Sequence, residues 1–66
     1  MSNYQYRVMP LKNGTIYFMN YPYGYKIQVH IFDQPGYIVD KLFDSFRNAR
    51  HEYITQCEKY GKKPNL

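Results

Sequence analysis

The chain has 66 residues, nine Lys or Arg against five Asp or Glu for a net charge of +4, and 44% hydrophobic content that includes nine Tyr, four Phe and no Trp. That length makes one domain, which buries only about 60% of its unfolded surface and leaves little room for a sequestered catalytic pocket. The lone Cys57 excludes an internal disulfide, and no apolar run approaches the roughly 18 residues of a membrane span, so the expectation is a cytoplasmic, reducing setting without a membrane partner.

Met1 to Asn3 reads as a loose end. Residues 4–11 (YQYRVMPL) are rich in β-formers, and Pro10 marks the strand as an edge or as interrupted near its end. Asn13-Gly14 between two apolar runs predicts a two-residue type I′ hairpin, because both residues tolerate positive φ. Residues 15–21 then form a second strand. Pro22-Tyr23-Gly24 predicts a three-residue turn, and residues 25–32 a third strand in which Ile27, Val29 and Ile31 alternate with Lys26, Gln28 and His30. From about 35 to 60 the spacing of Val39, Leu42, Phe46, Ala49, Tyr53, Cys57 and Tyr60 predicts one long helix, capped by Asp33 and ended by Gly61. Residues 61–66 read as a frayed basic tail. The expected architecture is α+β, a three-stranded antiparallel sheet packed on one face by a C-terminal helix.

These turns imply a register. Leu11 would face Ile16 and Met9 would face Phe18 across the first hairpin; Tyr21 would face Tyr25 and Met19 would face Ile27 across the second. Alternation then places Tyr6, Val8, Tyr17, Met19, Tyr21, Ile27, Val29 and Ile31 under the helix. The other side would expose Met9, Leu11, Ile16 and Phe18, rimmed by Arg7, Asn20, Lys26, Gln28 and His30. An apolar centre with a polar and cationic rim has the anatomy of a binding surface. Two alternatives account for the same pattern: a homodimer that packs this side against itself, or a register slip that returns Ile16 and Phe18 to the core. Of the tyrosines, Tyr4, Tyr23 and Tyr37 are expected to be exposed.

The order of three strands, a Phe32-Asp33 step and an amphipathic helix, over Tyr6 to about Tyr53, resembles the DNA-binding domains of plant ethylene-response factors and the arm-binding domains of phage-type integrases. The resemblance implies a sheet that reads the DNA major groove. It lies in the order of elements alone, without those families' tryptophans and dense sheet arginines.

Catalytic chemistry finds no foothold. Asp40 and Asp44, one turn apart on the expected helix, read as solvated carboxylates beside Lys41 and Arg47, with Asp44 neutralising Arg47. His51, Glu52 and Cys57 lack a spacing that converges on a metal, and Cys57 falls on the apolar stripe. The reading is a non-enzymatic binding module without a cofactor, a small interaction or inhibitor protein of the stand-alone kind that phages and mobile elements encode. It would dock on a protein or nucleoprotein through Arg7, Met9, Ile16, Phe18, Asn20, Lys26, Gln28 and His30. The alternative is direct DNA or RNA binding through Arg7, Lys26, His30 and the tail lysines, since sheet-face readers combine cations with aromatics.

Overall fold

A computed structural model describes residues 4–66, without the side chain of Tyr4, so the expected loose end at Met1 to Asn3 and the exposure of Tyr4 lie outside the described residues. Four antiparallel strands form one sheet in sequential order: β1 (Tyr4–Pro10), β2 (Gly14–Tyr21), β3 (Gly24–Ile31) and β4 (Val39–Phe43), followed by a single helix, α1 (Phe46–Lys59). The α+β class and the C-terminal helix hold. The strand count does not, because the first part of the expected helix is β4.

The two periodicities coincide over Val39 to Phe46, which is why the helical reading reached too far. Steps of three and four align Val39, Leu42 and Phe46, but the same stretch also alternates with period two: Val39, Lys41 and Phe43 share the side opposite Val29, Ile27 and Tyr25, while Asp40 and Leu42 face away. Ser45 marks the true start of α1. Its extended backbone carries an Oγ that accepts from the Asn48 N–H at 3.3 Å, satisfying one of the orphan donors of the first turn. Asp33 therefore caps nothing, and Asp40 and Asp44 are not on a helix. The C-terminal expectation stands: Gly61 at φ 70° lets Lys62 N–H bond to Cys57 O and Gly61 N–H to Glu58 O, a Schellman ending.

Both hairpin loops differ from expectation by where their glycine falls. The first loop is Lys12-Asn13, closed by Leu11 N–H to Gly14 O at 2.9 Å, and neither loop residue takes positive φ, so the turn is not type I′. Gly14 instead begins β2. A Cβ there would come 2.2 Å from the His30 carbonyl oxygen, so glycine is required by the close approach of β3 rather than by the turn. The second loop is Pro22-Tyr23, with Gly24 at φ 148° already paired with Tyr21. A Cβ on Gly24 would meet Phe43 O at 2.5 Å.

Moving Gly24 out of the loop shifts the β2–β3 register by one residue, which exchanges the two sides of β2. Ile16 lies opposite Val29 and Phe18 opposite Ile27, so both join the helix-covered side and Tyr17, Met19 and Tyr21 leave it. In β1, Met9 faces Ile16 and Val8 faces Tyr17, and an irregularity between Gln5 and Arg7 lets Tyr6 and Arg7 both reach the helix side. The Tyr6 ring packs edge-on against Phe18 and Phe46 at centroid distances of 5.0 and 5.4 Å.

The core is Met9, Ile16, Phe18, Ile27, Val29 and Ile31 from the sheet under Ala49, Tyr53 and Cys57 from α1, with Tyr6, Leu11, Tyr25, Val39, Phe43 and Tyr60 around it. Phe18 is the centre, in ring contact with Tyr6, Tyr25, Phe46 and Tyr53. Each fully buried aliphatic or aromatic side chain contributes roughly 1.5–3 kcal/mol.

The tail is docked rather than frayed. Tyr53 OH donates to Asn65 Oδ1 at 2.7 Å, Asn65 Nδ2 donates to Val8 O at 3.1 Å, and Arg7 Nε donates to Asn65 O at 2.9 Å. Since Leu11 and Gly14 form a bonded pair, alternation makes Val8 and Tyr17 an unbonded one, so the Val8 carbonyl points off the open edge of β1. Asn65 covers that edge group and fastens helix to strand.

Candidate functional site

The side of the sheet away from α1 carries Tyr17, Met19 and Tyr21 from β2, Lys26, Gln28 and His30 from β3, and Asp40 and Leu42 from β4, as register and alternation dictate. Of the eight residues expected to form the docking surface, Lys26, Gln28 and His30 are on it. Met9, Ile16 and Phe18 are buried against α1, with Ile16 and Phe18 wholly inaccessible, and Arg7 and Asn20 turn to the helix side. The expected apolar centre is thus the hydrophobic core, and the slip of register is what occurred.

Two clusters organise the uncovered side. At one end the segment Phe32 to Ile38 folds back, held by Gln34 N–H to Ile31 O and Ile38 N–H to Val29 O. It brings Tyr37 edge-on to Tyr17 and His30 at 6.4 and 6.3 Å, while His30 Nδ1 lies 3.0 Å from the Gly36 carbonyl. Since a carbonyl oxygen only accepts, this contact places a proton on Nδ1. Phe32 lies beside the His30 ring at 6.0 Å and is exposed.

At the hairpin end Tyr21 and Tyr23 stack at 5.3 Å, and Lys26 Nζ lies 5.9 Å from the Tyr21 ring. Asp40 ties this end to the centre: its Oδ1 is 3.5 Å from Lys26 Nζ and accepts from Gln28 Nε2 at 3.3 Å. Lys26 is therefore ion-paired, so the strands of this side contribute almost no free positive charge. Leu42 beside it is 53% exposed, and Tyr23 and Tyr37 are exposed as expected. Around the Pro22-Tyr23 turn, Asn20, Tyr21, Gly24, Tyr25 and Asp44 line an open recess of about 460 Å³.

The groups weighed for chemistry are placed apart. Cys57 is buried with its thiol against the Tyr53 hydroxyl, not near an exposed His51; desolvation pushes the thiol up, opposed by the Tyr53 bond, and Glu58 raises it further. Burial, with the neighbouring Cys57, also pushes the Tyr53 phenol well up, and Arg7 and Asn65 only partly offset this. Among the described residues no group of three His, Cys, Asp or Glu side chains converges, and no helix is long and apolar enough to cross a membrane. No ion pair joins Asp44 to Arg47; the pairs among the described residues are Lys26–Asp40 and Lys41–Glu52.

Tyr17, Met19, Tyr21 and Leu42 were missed because the sequence reading assigned them to the core. The signal that recovers them is the alternation of Lys26, Gln28 and His30, carried across a Pro22-Tyr23 loop of two residues instead of three. No protein-family model matches the chain, and neither a curated protein nor a solved structure is significantly similar to it. The resemblance in element order to sheet-reading DNA-binding domains stops at Phe32-Asp33, which leads into a loop and β4 instead of a helix.

Proposed function

We propose that this chain is a non-catalytic binding module that occupies the surface of a larger protein through the uncovered side of its sheet. One observation carries the reading: the side that α1 leaves open combines Tyr17, Met19, Tyr21 and Leu42 with a lysine already neutralised by Asp40. Protein interfaces favour Tyr, which gives contact area at low entropic cost, and Met, and are poor in free charge at their centre. Nucleic acid demands unpaired cations, which these strands lack, so the alternative of a DNA- or RNA-reading sheet is the weaker one. A partner suited to this side is apolar at its centre, with donors or acceptors for the Tyr hydroxyls and for His30.

The test is to identify proteins that co-purify with the chain, then titrate each in pure form against wild type, Tyr21→Ala, Leu42→Asp and Arg47→Gln/Arg50→Gln. Tyr21 and Leu42 lie outside the core, so both sheet variants should keep their unfolding midpoint to within about 0.5 kcal/mol. They should weaken direct binding at least tenfold, with the arginine variant unaffected. Loss of binding in the arginine variant alone would overturn the assignment of the surface. Sedimentation equilibrium covers the other occupant, since a dimer that Leu42→Asp dissociates would make a second copy the partner.

A further inference from the structure

We infer that the outer face of α1 and the tail beyond it form a second, separate surface, which lies along the phosphates of a duplex nucleic acid. Residues 46–66 carry five cations, Arg47, Arg50, Lys59, Lys62 and Lys63, against two acids, Glu52 and Glu58, so three of the four net positive charges reside in this last third of the chain. All five cations are exposed. None of them takes part in the two ion pairs among the described residues. Of the two acids, Glu52 is turned away, 3.5 Å from Lys41 Nζ and accepting from Gln56 Nε2 at 2.7 Å, and Glu58 stays on the exposed face. Lys59 does no more than approach the Tyr60 ring at 5.9 Å.

Spacing and shape select the class of ligand. Arg47 to Lys59 spans about 18 Å of helix at 1.5 Å per residue, with Arg47 and Arg50 on one flank of the exposed face and Lys59 on the other, and Lys62 and Lys63 follow just past the Schellman turn. Duplex backbones present roughly one charge per 1.7 Å of axis, so a cationic face of this length meets several phosphates at once. Single strands are held by stacking their bases on aromatic rings. The solvent-facing positions Arg47, Asn48, Arg50, His51, Thr55 and Glu58 include no Phe, Tyr or Trp, whereas the sheet side that gathers tyrosines lacks free cations. The tyrosine cluster and most of the free charge are thus on different sides of the molecule, which suits phosphate contact without base stacking. This surface does not depend on the protein-docking side, and a molecule bearing both would bring a protein to nucleic acid.

The experiment is fluorescence anisotropy with a labelled mixed-sequence duplex of about 20 base pairs, and the matching single strand, at about 50 and 200 mM salt. With five phosphate contacts, affinity for the duplex should fall about 500-fold across that fourfold rise in salt. Arg47→Gln/Arg50→Gln should bind more weakly at the lower salt, and its salt response should shrink to about 40-fold. Circular dichroism confirms that this variant is folded, and Tyr21→Ala and Leu42→Asp should bind duplex like wild type. Absence of duplex binding at about 50 mM salt overturns the inference, as does tighter binding to the single strand. Tighter binding to vesicles of phosphatidylserine and phosphatidylcholine than to duplex also overturns it, by assigning the strip to a lipid surface. Duplex binding lost in Leu42→Asp but retained in the arginine variant would move the site to the sheet.

Discussion

The two sides of β2 are made of similar material and have opposite fates. Ile16 and Phe18 sit under α1 with no solvent contact, while Tyr17 and Met19, one residue away each, remain partly open on a side shared with Lys26, His30 and Leu42. On an apolarity scale either pair could line a core. What separates them is the length of one loop, because pairing Tyr21 with Gly24 instead of Tyr25 turns every β2 side chain over relative to β3. Burial here follows from backbone geometry at Gly14 and Gly24 as much as from hydrophobicity.

The contrast is broken most severely by Phe18→Ala. Phe18 contacts four other rings, so truncation should cost about 3–5 kcal/mol and leave the domain largely unfolded, read by urea denaturation. A folded Phe18→Ala protein of near-normal stability would return Phe18 to the surface and restore the other register. Gly14→Ala is the next largest. A methyl 2.2 Å from the His30 carbonyl must push β3 away, and about 1–3 kcal/mol of destabilisation is expected from the same denaturation curves.

A smaller effect sharpens the comparison by pH. Burial raises the Tyr53 phenol and the Cys57 thiol in the folded chain, so above roughly pH 8.5–10 the unfolded chain loses those protons first. The unfolded state then binds fewer protons than the native one, and stability falls as pH rises. The stabilisation is complete below that window. Tyr53→Phe/Cys57→Ala should flatten the decline in unfolding midpoints measured from pH 8 to 11.

How much of this was legible depends on which signal is asked. The strand character of β1 to β3, the Gly61 ending and the buried stripe Ala49, Tyr53, Cys57 follow from periodicity, and each is where the sequence places it. β4 was hidden because Val39, Leu42 and Phe46 satisfy a helical step while Val39, Lys41 and Phe43 satisfy a strand alternation in the same stretch, and only the Ser45 cap separates the two. The register was hidden because Gly14 and Gly24 read as turn residues, although both are demanded by backbone atoms of a neighbouring strand that no local window contains. The docking surface inherited that error. Lys26, Gln28 and His30 survived it because they alternate within a single strand and owe nothing to pairing.

The Asn65 clasp also bears on the order in which the molecule assembles. Every strand pairs with its neighbour in sequence across a short connection, so the sheet grows by local closures of the kind that form in microseconds. The bonds from Arg7 and Val8 to Asn65 bridge separations of 58 and 57 residues. Contacts that close so large a loop form after the sheet and helix have met, on the native side of the folding barrier. Such contacts work as a latch on the way out, so Asn65→Ala should speed unfolding and leave the folding rate nearly untouched when both are read from stopped-flow denaturant kinetics.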